Sequence, residues 1–107
     1  MTDHILNTLY ATIMSRKGAD PKSSYVASLL EKGTSKIAQK VGEEAMEAAI
    51  EAVQGDAEKL KQESADLLFH LMILWVDQGI TPNDVFDVLK SREGIGGHDE
   101  KAARTQD

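Results

Sequence analysis

The chain has 107 residues, and its 18 acidic and 12 basic side chains give a net charge of −6. This length corresponds to one domain, or to one domain with a tail. The absence of cysteine excludes a disulfide framework, a thiolate zinc site and a cysteine nucleophile. The negative charge argues against general nucleic-acid binding, because such binding depends on Lys and Arg that neutralise phosphates.

The hydrophobic pattern gives no indication of a membrane segment. The longest apolar run, residues 67–76, is interrupted by His70 and is well short of the ~20 residues of a membrane span. The N-terminus lacks the basic and apolar regions of a secretory signal. We therefore expect a cytoplasmic protein without a membrane partner.

Apolar residues at helical spacing indicate helices along most of the chain. The predicted helices cover residues 4–16, 25–31, 35–53, 57–78 and 81–91. Their predicted N-caps are Thr2 or Asp3, Ser23 or Ser24, Thr34 or Ser35, Asp56 and Thr81. No strand with clean alternation is present, so the fold class is an all-α bundle of four to five helices.

Two features of the long central helices predict close packing. Gly42 is unfavourable in a helix interior, which suggests a close approach of another backbone. The fourth helix is apolar on all sides over residues 67–76, which predicts burial within an oligomer. We expect the bundle, residues 1–92, to be completed by dimerisation, and residues 93–107 to form a polar tail.

Acidic side chains gather on the two central helices. They are Glu43, Glu44 and Glu47 on the first helix, and Glu63 and Asp66 on the second. Glu44 and Glu47 lie about 60° apart on one helix face, and the second helix repeats this spacing. A turn at Gly55 would place the two pairs at similar heights across an antiparallel hairpin.

Such a cluster of carboxylates predicts a site for a hard cation. Neighbouring carboxylates repel one another, and Mg²⁺ or Mn²⁺, which prefer oxygen ligands, would relieve that repulsion. Asp66 directly precedes the apolar run, so we expect its carboxylate to be partly buried. The alternative is two solvated helix faces, since Glu is a good helix former. A di-iron site is disfavoured because such sites use Glu-x-x-His motifs on two helices, whereas the motif here is Glu63-x-x-Asp66, with His70 four residues after Asp66.

Nearby polar residues also have two interpretations. Lys36 and Lys40 can contact phosphate oxygens beside a metal, or they can form pairs with Glu one turn away, as Lys40 does with Glu44. His70 continues the stripe of Glu63 and Asp66, although a lone histidine is more often a hydrogen-bonded core residue than a ligand.

These acidic motifs resemble a known superfamily. Glu43-Glu44-x-x-Glu47 followed by Glu63-x-x-Asp66 is similar to the signature of the all-α, MazG-like nucleoside triphosphate pyrophosphatases. A wider likeness to the phosphoribosyl-ATP pyrophosphatase family covers about residues 5–104. It is carried by Ser24-Tyr25, Leu29-Leu30, Gly33, Lys36-Ile37, Lys40-Val41-Gly42-Glu43-Glu44-Ala45, Glu63-Ser64-Ala65-Asp66-Leu67-Leu68-Phe69-His70-Leu71, Arg92, Glu100-Lys101-Ala102 and Arg104.

The resemblance implies a dimeric enzyme of histidine biosynthesis that hydrolyses phosphoribosyl-ATP at the α–β linkage to phosphoribosyl-AMP and pyrophosphate. It implies Mg²⁺, with Mn²⁺ as a substitute, on Glu44, Glu47, Glu63 and Asp66, with Glu43 supporting or sharing a second ion. Glu43 or Glu47 would activate water, and Lys40, with Lys36, would contact phosphate.

Two other functions stay open from the sequence. The first is a house-cleaning pyrophosphatase for dUTP, dCTP or damaged nucleotides, which would use the same carboxylates. The second is a non-catalytic helical dimerisation module, which would show no thermal stabilisation by Mg²⁺ with nucleotide.

Overall fold

The computed structural model describes residues 4–94, which form five α-helices and no strand. The helices are α1 (Ile5–Ser15), α2 (Tyr25–Lys32), α3 (Thr34–Gln54), α4 (Ala57–Gln78) and α5 (Pro82–Ser91). The predicted all-α bundle is confirmed. The boundary at residue 92 and completion by dimerisation stay predictions, and the tail beyond residue 94 lies outside the described residues.

Three helices begin where side-chain oxygens satisfy the first backbone N–H groups. Ser24 caps α2 by accepting from Ala27 N, and Asp56 caps α4 by accepting from Lys59 N. Thr81 caps α5 and forms a reciprocal capping box with Asp84. These caps match the sequence prediction.

The predicted caps of the other two helices are not the ones observed. His4 caps α1 through Nδ1, which accepts from Leu6 N at 3.1 Å, whereas Thr2 and Asp3 lie outside the described residues. Gly33 precedes α3 without a side-chain cap. The Thr34 hydroxyl instead donates to the Asp77 carboxylate at 2.6 Å, so it joins the start of α3 to the end of α4.

The antiparallel hairpin of α3 and α4 is the centre of the bundle, with α1 packed on α4 and α2 on α3. The buried core lies at one end of this hairpin, and consists of Ile13, Val26, Leu29, Ile37, Met72, Ile73 and Val76. Ile37 on α3 and Ile73 on α4 have no exposed surface, and both belong to this buried cluster. This end of the hairpin is therefore covered by α1 and α2.

The end of the hairpin near Gly55 is much more open. Met46 and Val53 on α3 are 63% and 89% exposed, and Leu68 on α4 is 42% exposed. The 67–76 segment is therefore only partly buried within the single chain, and its burial within an oligomer stays a prediction. No helix among residues 4–94 is long and apolar enough to span a membrane.

Two glycines of the hairpin have different environments. Gly55 ends α3 at φ 76°, in the left-handed region that disfavours residues with a Cβ. Gly42 lies inside α3, and a Cβ built there meets no atom of the described residues within 4 Å. The close backbone approach expected at Gly42 is therefore not found among residues 4–94.

These environments predict opposite effects of alanine on stability. Gly55→Ala should lower the free energy of unfolding by about 1–2 kcal/mol, because it forces a Cβ into the left-handed conformation. Gly42→Ala should raise it by up to about 1 kcal/mol, through better helix propensity. Urea denaturation followed by circular dichroism measures both. Destabilisation by Gly42→Ala would contradict the open environment described for that residue.

Candidate metal centre

The hairpin brings three of the predicted carboxylates together. Glu44 from α3 and Glu63 and Asp66 from α4 each offer one oxygen, and these three oxygens lie within 4.8 Å of one another. Glu44 is 8% exposed and Glu63 is half-buried. Asp66 is exposed, so its predicted partial burial is wrong. The buried residues of α4 begin at His70, one turn beyond Asp66, so Asp66 lies outside the buried core.

Glu63 shows the electrostatic cost of this arrangement. The pKa of Glu63 is raised to about 7, because a protonated Glu63 could donate to the carboxylates of Glu47 and Glu44, and because burial and the charges of those two residues disfavour the ionised form. Its Oε2 is buried and has no hydrogen-bond partner. A buried carboxylate oxygen without a donor, facing further carboxylates, fits a hard divalent cation such as Mg²⁺ or Mn²⁺.

The other two predicted carboxylates differ in their partners. Glu47 is exposed and its carboxylate faces that of Glu63, although it is not one of the three convergent residues. Glu43 points along its own helix, where Gln39 donates to Oε2 at 3.0 Å and Lys40 lies 3.3 Å from Oε1. These hydrogen bonds from Gln39 and Lys40 lower the pKa of Glu43.

The two predicted phosphate-binding lysines are half-buried on α3. Lys40 pairs with Glu43, three residues on, rather than with Glu44 as the sequence suggested. The hydrogen bond to Glu43 is the main reason that the pKa of Lys40 is raised, with smaller effects of Tyr25 and Glu44. The ammonium group of Lys40 is therefore held beside the carboxylate cluster.

Tyr25 and His70 form a hydrogen-bonded link to the cluster that sequence reasoning missed. His70 Nδ1 lies 2.8 Å from the Asp66 carbonyl oxygen, and since a carbonyl only accepts, Nδ1 donates. In neutral His70, Nε2 then accepts from the Tyr25 hydroxyl at 2.7 Å. The prediction of His70 as a hydrogen-bonded core residue is confirmed, since it is 6% exposed.

Tyr25 lies beside the charges of the cluster. The pKa of its hydroxyl is raised mainly by burial, with opposing effects of Lys40 and of the nearby acidic groups Glu44, Glu43 and Asp66. Its only sequence signal was the Ser24-Tyr25 motif of the family likeness, and spacing along the chain gave no indication of its contact with His70.

The chain has an all-α fold with convergent carboxylates on its central hairpin. This combination is typical of the MazG-like nucleoside triphosphate pyrophosphatases. Residues 6–93 match the family described as phosphoribosyl-ATP pyrophosphohydrolase. The chain belongs to this family, and the prediction of a hydrolase is confirmed.

Relatives named phosphoribosyl-ATP pyrophosphatase occur in several bacteria. The Azospirillum brasilense protein is 58% identical over 100 residues, which cover 94% of this chain and 90% of the relative. The Gluconobacter oxydans protein is 52% identical, over 96% of this chain and 77% of the relative. The Zymomonas mobilis protein is 48% identical, over 97% of each chain. The family likeness stated from the sequence is thereby confirmed.

Glu63→Gln should separate the electrostatic cost of the cluster from its metal affinity. A raised carboxyl pKa means that the folded state favours neutral Glu63, so its contribution to stability is present below pH 4.5 and lost as pH rises through about 7. The permanently neutral variant should therefore have a higher melting temperature than the parent at pH 8 without metal, and a similar one at pH 5. It should also lose most of the stabilisation by Mg²⁺.

The control for this experiment is Glu58→Gln, which neutralises an exposed carboxylate on the same helix, paired with Lys61. It should leave the stabilisation by Mg²⁺ unchanged. An equal Mg²⁺ response in the parent and in Glu63→Gln would contradict the role of Glu63 in the centre.

Tyr25→Phe tests the link to His70. Removing the hydroxyl leaves buried Nε2 without a partner, which should lower the free energy of unfolding by about 1–3 kcal/mol. Tyr10→Phe is the matched control, because Tyr10 is half-buried and its hydroxyl has no hydrogen bond among residues 4–94. Equal urea midpoints for the two variants would show that the Tyr25 hydroxyl contributes no specific stabilisation.

Proposed function

We propose that this chain hydrolyses phosphoribosyl-ATP to phosphoribosyl-AMP and pyrophosphate, in histidine biosynthesis, with a requirement for Mg²⁺. The observation that carries the proposal is the convergence of Glu44, Glu63 and Asp66 within 4.8 Å. The names of the relatives supply the substrate. We expect the enzyme to act in the cytoplasm as a homodimer.

Glu44, Glu63 and Asp66 would hold Mg²⁺ or Mn²⁺, with Glu47 as the fourth predicted ligand beside Glu63. An ion bound there would neutralise phosphate charge, and it would lower the pKa of water so that hydroxide is available as the nucleophile. Charge neutralisation is needed because a chain of net charge −6 must accept a polyphosphate next to its own carboxylates.

The protein's own groups divide the remaining work. Lys40 presents a cation at the edge of the cluster, where it would contact phosphate oxygens, with Lys36 one turn away. Glu43 holds Lys40 in this position through their 3.3 Å contact. In this arrangement Glu43 is a positioning residue for Lys40.

Between the two candidate bases, we favour Glu47 as the carboxylate that orients and deprotonates water. Both oxygens of Glu43 already have donors, from Gln39 and Lys40, and its lowered pKa makes it a weaker base. Glu47 is exposed and lies next to Glu63, so it is accessible to solvent at the edge of the centre.

The test is a pyrophosphate-release assay with phosphoribosyl-ATP and Mg²⁺. Glu44→Gln and Asp66→Asn should each lower kcat/KM by about 100-fold or more, because they remove charge that holds the cation. Glu58→Gln is the control and should be near the parent, and far-UV circular dichroism should show unchanged helicity in all three variants.

Two results would contradict the proposal. Near-normal turnover by Glu44→Gln and Asp66→Asn would exclude the carboxylate centre as the active site. Faster turnover of dUTP or dCTP than of phosphoribosyl-ATP by the parent would favour a house-cleaning pyrophosphatase.

A further inference from the structure

A cleft beside Tyr25 contains none of the three convergent carboxylates in its lining. Its volume is about 350 Å³, and it is lined by Arg16, Ala19, Ser23, Ser24, Tyr25 and Val26. It is formed where the segment between α1 and α2 turns back onto the start of α2. None of the candidate catalytic or metal-binding residues lines it, so it is a separate feature of the surface.

Arg16 gives this cleft an uncompensated positive charge. Its side chain is exposed and makes no ion pair with any acidic residue among residues 4–94. A guanidinium group presents several N–H donors in a planar fork that matches the oxygens of a phosphate. The neighbouring depression differs, because it is lined by both Lys17 and Glu31, whose charges oppose each other.

Tyr25 joins the cleft to the carboxylate cluster. Tyr25 is 51% exposed and lines the cleft, while its hydroxyl donates to His70 at 2.7 Å. His70 in turn donates to the Asp66 carbonyl at 2.8 Å. A ligand in the cleft would therefore lie across one tyrosine side chain from the carboxylates, which is a suitable arrangement for the two ends of one extended molecule.

The proposed substrate has two such ends. One end is the triphosphate, which belongs at the carboxylates, and the other is a second ribose that carries its own monophosphate. That monophosphate is a separate anionic group at neutral pH. It is also the part of the molecule that distinguishes phosphoribosyl-ATP from ATP.

We infer that the cleft beside Arg16 binds the phosphorylated ribose of the substrate, with the Arg16 guanidinium on its monophosphate. This inference rests on the proposed function and adds to it the residue that selects phosphoribosyl-ATP over ATP. Ser23 and Ser24 also line this cleft. Arg16 acts in binding and takes no part in the chemical step.

The test compares Arg16→Gln with the parent in steady-state hydrolysis of phosphoribosyl-ATP with Mg²⁺. Loss of a charged hydrogen bond to phosphate should raise KM by about 10–100-fold and leave kcat within about twofold. The inhibition constant of ATP, used as a competitor without the second ribose, should not change. Ribose 5-phosphate should inhibit the parent competitively and inhibit Arg16→Gln much more weakly.

Two variants control for charge and for folding. Lys17→Gln removes the same charge one residue away and outside the cleft, so its KM should stay near that of the parent. Arg16→Lys keeps the charge without the fork, and should give a KM between those of the parent and Arg16→Gln. Arg16 caps α1 through its backbone N–H, which these substitutions retain.

Three results would overturn the inference. They are an unchanged KM in Arg16→Gln, an equal rise in Lys17→Gln, and an equal loss of affinity for ATP. If the parent enzyme hydrolyses phosphoribosyl-ATP, any of these results refutes the role of Arg16 and leaves the proposed function standing. A parent enzyme without Mg²⁺-dependent hydrolysis would instead refute the proposed function itself.

Discussion

The close approach of carboxylates across the α3–α4 hairpin is the main electrostatic cost of this fold. Glu44, Glu63 and Asp66 bring oxygens within 4.8 Å of one another, although like charges at that distance destabilise the fold. The pKa of Glu63 is raised to about 7 by hydrogen bonding to Glu47 and Glu44, by burial and by the charges of these two residues, and its buried Oε2 has no donor. A proton relieves part of the repulsion, and a divalent cation would relieve more.

The core has to hold the two helices together against this repulsion. It does so at the other end of the hairpin, where Ile37 and Ile73 are completely buried, and where Thr34 bonds to Asp77. The stabilising contacts and the destabilising charges are thus separated along the same pair of helices. Glu47 and Asp66 are exposed whereas Glu44 is buried, so a polyphosphate would reach the carboxylates from the side of Glu47 and Asp66.

The sequence predicted the features of the fold that depend on neighbouring residues. Helical periodicity, the caps at Ser24, Asp56 and Thr81, and the turn at Gly55 are all local, and they were sufficient to place Glu44 opposite Asp66. Contacts between distant residues were not predictable in this way. Thr34 meets Asp77 across 43 residues and Tyr25 meets His70 across 45, and no periodic pattern encodes either pair.

The exposure of Asp66 has the same physical origin as these missed contacts. Whether a residue beside an apolar run is buried depends on how the other helices pack, and the buried residues of α4 begin only at His70, one turn beyond Asp66. The cleft at Arg16 likewise depends on how the segment after α1 folds back. The local pattern therefore identified the carboxylates that would hold a cation against a polyphosphate, and a polyphosphate is common to many nucleotides. The groups that would distinguish one nucleotide from another are assembled only by the tertiary fold.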